Sequence, residues 1–121
     1  YAAALLENAL VRGRFMELLA QRLPENERDE LFVVGMFSLI DAVLRVPLVE
    51  ALKPLRLPEQ IEAALLRAAG PYAPYLELAV ACESADQERI AELSRTCGVD
   101  AATVNARHFE ALAWSQEIQG G

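Results

Sequence analysis

The chain has 121 residues, 54% of them hydrophobic and 24% charged, and 11 Lys and Arg against 18 Asp and Glu give a formal net charge of −7. That is one domain's worth of sequence, able to bury a core without disulfides or metals, and its composition excludes disorder. The acidic balance, with Lys53 the single lysine, excludes a nucleic-acid surface, which needs clustered cations to displace phosphate counterions.

Cys82 and Cys97 make neither a disulfide framework nor a metal-ligand pair, and they read as small buried hydrophobes of a reducing compartment. The longest strongly apolar run, Leu31 to Ile40, is about half the length a bilayer demands, so no membrane partner and a cytoplasmic location are expected. The first residue is Tyr1 rather than Met, and it opens directly on helical wording. The chain is therefore expected to be a piece of a longer protein, with one helical domain over 1–118 and a frayed tail over 119–121.

Helical periodicity recurs throughout, and no alternation typical of a half-buried strand is convincing. A first helix is expected from Ala2 to about Arg22, with Leu6, Leu10, Phe15, Leu18, Leu19 and Leu23 supplying the apolar side and Pro24 as its stop. Asn26 to Asp29 offer caps and acidic residues for a second helix, Asp29 to Leu44, apolar on nearly every face and so expected to run through the middle of the domain. It should end near Arg45-Val46-Pro47, because the residue before proline disfavours helical geometry. Gly35 inside it costs about 1 kcal/mol relative to alanine, which implies a close helix crossing at that point.

A short helix follows from Pro47 to Leu52, then a break at Lys53-Pro54-Leu55. Leu57-Pro58 starts a fourth helix that buries Ile61, Ala64, Leu65 and Ala68. Gly70-Pro71 separates it from a fifth, Tyr72 to about Glu83. Ser84 or Asp86 caps a sixth that runs to Cys97, with Gly98 as its C-terminal stop, and Asp100 caps the last, which ends near Ile118. About seven helices with short connections result, and no internal repeat is present.

Few residues suggest chemistry. Ser38 and Asp41 are polar positions on the apolar second helix. The Ser38 hydroxyl can bond the carbonyl four residues back, whereas Asp41 needs an exposed edge or an arginine such as Arg12, Arg14 or Arg45. His108, the single histidine, faces the apolar side of the last helix with no second ligand nearby in sequence, so a core or boundary histidine is expected. Tyr72 and Tyr75 form an aromatic pair at a helix start, to be read as rings tucked onto the core or as a contact surface. Arg12 and Arg14 share a flank of the first helix, solvated or serving an acidic partner. No Gly-rich phosphate loop and no nucleophile motif is present.

Gly35-Met36-Phe37-Ser38-Leu39-Ile40-Asp41 resembles the metal-binding helix of HD-type phosphohydrolases, Gly-apolar-apolar-His-Asp-Ile-Gly, with Ser38 and Leu39 in place of the dyad. The order of three phrases, Ala9 to Ala20, Asp29 to Ala42 and Leu57 to Leu66, resembles HDOD domains, the non-catalytic relatives of those hydrolases. The wording is nearest the C-terminal module of EAL–HDOD bacterial signalling proteins of the YuxH-like kind. The resemblance runs in order along the whole chain, strongest from Ala9 to Leu66 and diffuse after Gly70.

It implies an all-α, HD-like orthogonal bundle of about seven helices around a buried second helix. It also implies a non-enzymatic regulatory or output role in signal transduction, with no catalytic residue, no cofactor and no metal, since Leu39 cannot ligate one. The implied partners are an EAL-type domain of the same protein, linked to cyclic di-GMP signalling, other proteins, or a second copy of the chain. Any contact surface would draw on Arg12, Arg14, Asp41, Tyr72 and Tyr75. The rival readings are a divergent metal-dependent phosphohydrolase using Asp41 and His108, an unrelated helical adaptor, and a sensor with a ligand cavity beside Ser38 and Asp41.

Overall fold

The computed structural model describes residues 2–120, which form eight α-helices and one 3-10 turn, with no strand among them. The helices are α1 (Ala2–Leu19), α2 (Glu25–Phe37), α3 (Ile40–Leu44), α4 (Leu48–Leu52), α5 (Glu59–Arg67), α6 (Ala73–Glu83), α7 (Gln87–Cys97) and α8 (Ala101–Gly120). The 3-10 turn is Lys53–Leu55. The protein is an all-α multi-helix bundle. Eight helices stand where the sequence suggests seven because the expected second helix is broken at Ser38-Leu39.

Prolines set three of the helix starts. Pro24, Pro47 and Pro58 each take the cap position with φ between −53° and −59°, and each offers its carbonyl to the first helical N–H groups. Pro24 thereby starts α2 at Glu25, four residues earlier than the expected Asp29. The expected first helix ends three residues early, at Leu19, where Gln21 Nε2 donates to the Leu18 carbonyl and Leu23 N to the Ala20 carbonyl. Asp86 Oδ1 accepts from Arg89 N at 3.1 Å and Asp100 Oδ1 from Thr103 N at 2.7 Å, while Gly98 ends α7 at φ +72°. These caps are where the sequence puts them. The last helix continues through Gln119, whose Nε2 donates to Ser115 Oγ, and so occupies residues expected to fray. The remainder of that tail, Gly121, lies outside the described residues.

α1, rather than the expected second helix, lies at the centre, packed on α2, α6, α8 and α3, and it buries Val11, Phe15, Met16 and Leu19. α2 adds Leu31 and Val34 to the same core, α6 adds Leu78, and α8 adds Val104 and Ala111. α1 and α2 cross where two glycines meet. A Cβ on Gly35 would stand 2.3 Å from Gly13 N and 2.4 Å from Gly13 Cα, and one on Gly13 would stand 2.7 Å from the Phe32 carbonyl oxygen. That is the close crossing Gly35 implies.

Past the break the chain leaves the core. Ile40, Asp41, Ala42 and Val43 are half-buried, and Leu44, Val46, Val49 and Leu55 are exposed. The half of the apolar segment before Phe37 is thus a core element, and the half after it is a surface one. No single described helix is long and apolar enough to cross a membrane.

Candidate functional site

The break at Ser38-Leu39 lies where α1, α6 and the end of α2 meet. Ser38 Oγ donates to the Gly35 carbonyl at 2.7 Å, three residues back rather than the expected four. The reason is local. Ser38 N also turns back to Gly35 O, at 3.3 Å, so α2 closes on a tighter 3-10-type turn. Leu39 then leaves helical geometry (φ −119°, ψ 10°) before α3 begins.

Arg12 of α1 reaches across this turn. Its Nη1 donates to Ser38 Oγ at 3.0 Å, and its Nε and Nη2 grip the two oxygens of Glu83 on α6 at 2.7 and 2.8 Å. The pair is a two-bond fork, the strong form of an arginine–carboxylate contact. The Arg12 side chain is 12% exposed and Glu83 26%, so water screens the pair only in part.

His108 of α8 packs edge-on against Phe15, ring centroids 5.4 Å apart. Burial lowers its pKa from the ordinary 6.5, and the nearby Glu83 carboxylate opposes that shift. One cluster therefore joins α1, the α2–α3 break and α6, with the α8 imidazole beside it.

Chemically, this is a clamp. A divalent cation at the Ser38-Leu39 position would need anionic or neutral donor ligands. What stands there is a leucine, a serine whose lone pair already accepts from an arginine, and a carboxylate neutralised by the same guanidinium. Among the described residues no three His, Cys, Asp or Glu side chains come close enough together to hold a metal.

The other sequence candidates are placed apart. Asp41 lies in the first turn of α3, half-buried, and makes no ion pair among the described residues, so neither Arg12, Arg14 nor Arg45 pairs with it. Arg14 sits 5.4 Å above the Trp114 ring and bonds Glu17 at 2.8 Å, a wedge between α1 and α8 rather than a free cation. Trp114 in turn meets Phe32 edge-on. Tyr72 follows the first of its two readings, a ring tucked onto the core, and not the contact surface: it is 1% exposed, and its hydroxyl donates to Glu30 Oε1 at 2.5 Å rather than lying in water. Burial and the Glu30 bond both raise its pKa, so the phenol stays protonated.

Tyr75 is half-buried in a cleft of about 550 Å³, beside Arg22, Cys97, Gly98, Thr103 and Arg107. Burial pushes the Cys97 thiol up to about 11, which makes it a packing group rather than a nucleophile. Glu83 is the member of the clamp that sequence reasoning missed. It lies 71 residues from Arg12, and no local pattern links them.

The chain is 31% identical over 111 residues to the cyclic di-GMP phosphodiesterase CdgJ of Vibrio cholerae, which covers 91% of this chain and 26% of that protein. It is 29% identical over 114 residues to the uncharacterized protein YuxH of Bacillus subtilis, 94% of this chain and 27% of that protein. No family model matches the chain, and no solved structure does. The sequence is thus similar, over most of its length, to about a quarter of each of two longer bacterial proteins.

Proposed function

We propose that the chain is a non-enzymatic, HDOD-like regulatory module of a bacterial cyclic di-GMP signalling protein, working by contact with a neighbouring EAL-type domain or a protein partner. The observation that carries this reading is the Arg12–Ser38–Glu83 clamp. The metal-binding helix of an HD-type hydrolase carries its dyad at the positions of this turn. Here the same turn is tied to α6 by a guanidinium, and Leu39 fills the carboxylate position with hydrocarbon. A guanidinium at the turn disfavours a divalent cation there, and the Glu83 carboxylate that it grips is already bonded.

The similarity to CdgJ, named a cyclic di-GMP phosphodiesterase, supports the signalling context, and the similarity to only a quarter of CdgJ fits an accessory module. A surface for contact is at hand. Leu44, Val46, Val49 and Leu55, all exposed, cluster within 12 residues of chain just beyond the clamp. A shift of the Ser38-Leu39 turn would move that surface, so binding there and packing at the clamp would be coupled through α3.

The test is hydrolysis of cyclic di-GMP and of phosphodiester model substrates by the purified chain, with Mn²⁺, Mg²⁺ or Ni²⁺ supplied. No turnover above buffer is expected with any of them. Metal-dependent turnover that disappears in Glu83→Gln or His108→Gln would overturn the reading in favour of a divergent phosphohydrolase.

A further inference from the structure

The outer face of α8 carries a second pattern, independent of the clamp. Val104, Ala111 and Ser115 are buried, and on the opposite side Ala102, Ala106, Phe109, Ala113 and Gln116 are exposed, the last with its Nε2 donating to Glu7 Oε1 of α1 at 3.3 Å. Their spacing is 4-3-4-3, the seam of a two-stranded coiled coil, and it spans 15 residues or about 21 Å of helix. No member of the seam is charged. Phe109 is 73% exposed, the most exposed of the large apolar side chains, and Leu112 beside it is 44% exposed. Single exposed apolar residues need no explanation, whereas an uncharged heptad seam centred on a phenylalanine does.

We propose that this face is a homodimer interface, in which α8 packs antiparallel against α8 of a second copy of the chain. Self-complementarity selects that occupant. In the antiparallel register that pairs the two kinds of seam position, Phe109 of each copy faces Ala113 of the other, so each large side chain meets a small one. Ala106 then faces Gln116, and Leu112 approaches Leu112 of the second copy next to the two-fold axis.

A parallel dimer would stack phenylalanine on phenylalanine and leave the alanine layers empty, which costs packing. The two-fold arrangement closes on itself and uses one surface patch twice, as isologous dimers do. On the seam's other edge Glu110 meets Glu110 of the second copy, and each is already paired with Arg107 one turn earlier, which reduces their repulsion.

One helix pair buries less than the roughly 1,600 Å² of a standard interface, so the dimer is reversible, with a Kd on the order of 1–100 µM. Sedimentation velocity of the purified chain at concentrations up to about 500 µM, well above that range, tests the proposal. Wild type is expected to shift from monomer to dimer. Phe109→Asp should raise the Kd by at least about 30-fold, the loss typical of a central hot spot, with an unchanged circular dichroism spectrum.

Leu44→Asp, on the other apolar surface, should dimerise as wild type does. Under mild oxidation Leu112→Cys should give a covalent dimer above the wild-type background, and Glu117→Cys should not. A wild type that stays monomeric at the highest concentration overturns the proposal. So does a dimer that survives Phe109→Asp, one that is lost in Leu44→Asp instead, or cross-linking that is equal at positions 112 and 117.

Discussion

Gly35→Ala puts a methyl group into the tightest contact of the fold. The new Cβ would lie 2.3 Å from Gly13 N and 2.7 Å from the Arg12 carbonyl carbon, all backbone atoms that cannot rotate away. Ordinary carbon contacts need at least about 3.5 Å, so α1 and α2 must separate by about 1 Å at the crossing. A gap of that size forfeits a quarter to a half of the dispersion energy along the seam, where Phe15, Met16, Leu31 and Val34 are packed. Overpacking of this kind costs about 1–3 kcal/mol and occasionally more.

The gain in helix propensity from Gly to Ala, about 1 kcal/mol, opposes it. Because the clash is with backbone on both sides, the upper part of the range applies, and a net loss of about 2 kcal/mol is expected. Urea unfolding followed by circular dichroism measures this directly, with the midpoint falling at constant slope. Gly13→Ala acts on the same crossing, through the Phe32 carbonyl at 2.7 Å. Once one methyl has pushed the helices apart the second meets less resistance, so the double variant should lose less than the two single losses together. A Gly35→Ala chain as stable as wild type, or about 1 kcal/mol more stable as at an open helix position, would refute the crossing.

Arg12→Met keeps the aliphatic bulk but leaves Glu83 and Ser38 without their donor. A loss of about 1–3 kcal/mol is expected in urea unfolding, because the pair is only partly screened, and Glu83→Gln should restore part of it in the double variant. Ala68 and Ala85 hold φ of +49° and +53° at helix ends, so Ala68→Gly and Ala85→Gly should each add about 1 kcal/mol, read as a higher unfolding midpoint. His108 has its pKa lowered by burial, so the folded chain binds fewer protons there than the unfolded chain. Its contribution is fully present above the unfolded value of 6.5 and is lost as pH falls through the folded pKa. Thermal unfolding from pH 8 to pH 5 should therefore show a decline that flattens in His108→Gln.

Local features were legible in the sequence. Asp86, Gly98 and Asp100 are set by groups four or fewer residues away, and the glycine at position 35 announced a crossing, though not that Gly13 is what it crosses. The break inside the expected second helix was not legible, because its residues have good helical spacing. What ends α2 is the 3-10 turn at Ser38, held from outside by Arg12 of another helix. The sequence leaves Tyr72 between a ring tucked onto the core and a contact surface, and Glu30, 42 residues away, decides it by giving the hydroxyl a partner inside the fold. The long-range members of the clamp, Arg12 and Glu83, needed the three-dimensional arrangement.

The central claim is that the Ser38-Leu39 turn is held by a guanidinium and has no use for a metal. Elemental analysis of the purified chain after dialysis against excess Mn²⁺, Ni²⁺ or Zn²⁺, followed by desalting, tests it most directly. The account predicts metal far below one ion per chain, the same in wild type and in Glu83→Gln. One ion retained per chain, and lost in Glu83→Gln or Asp41→Asn, would contradict it.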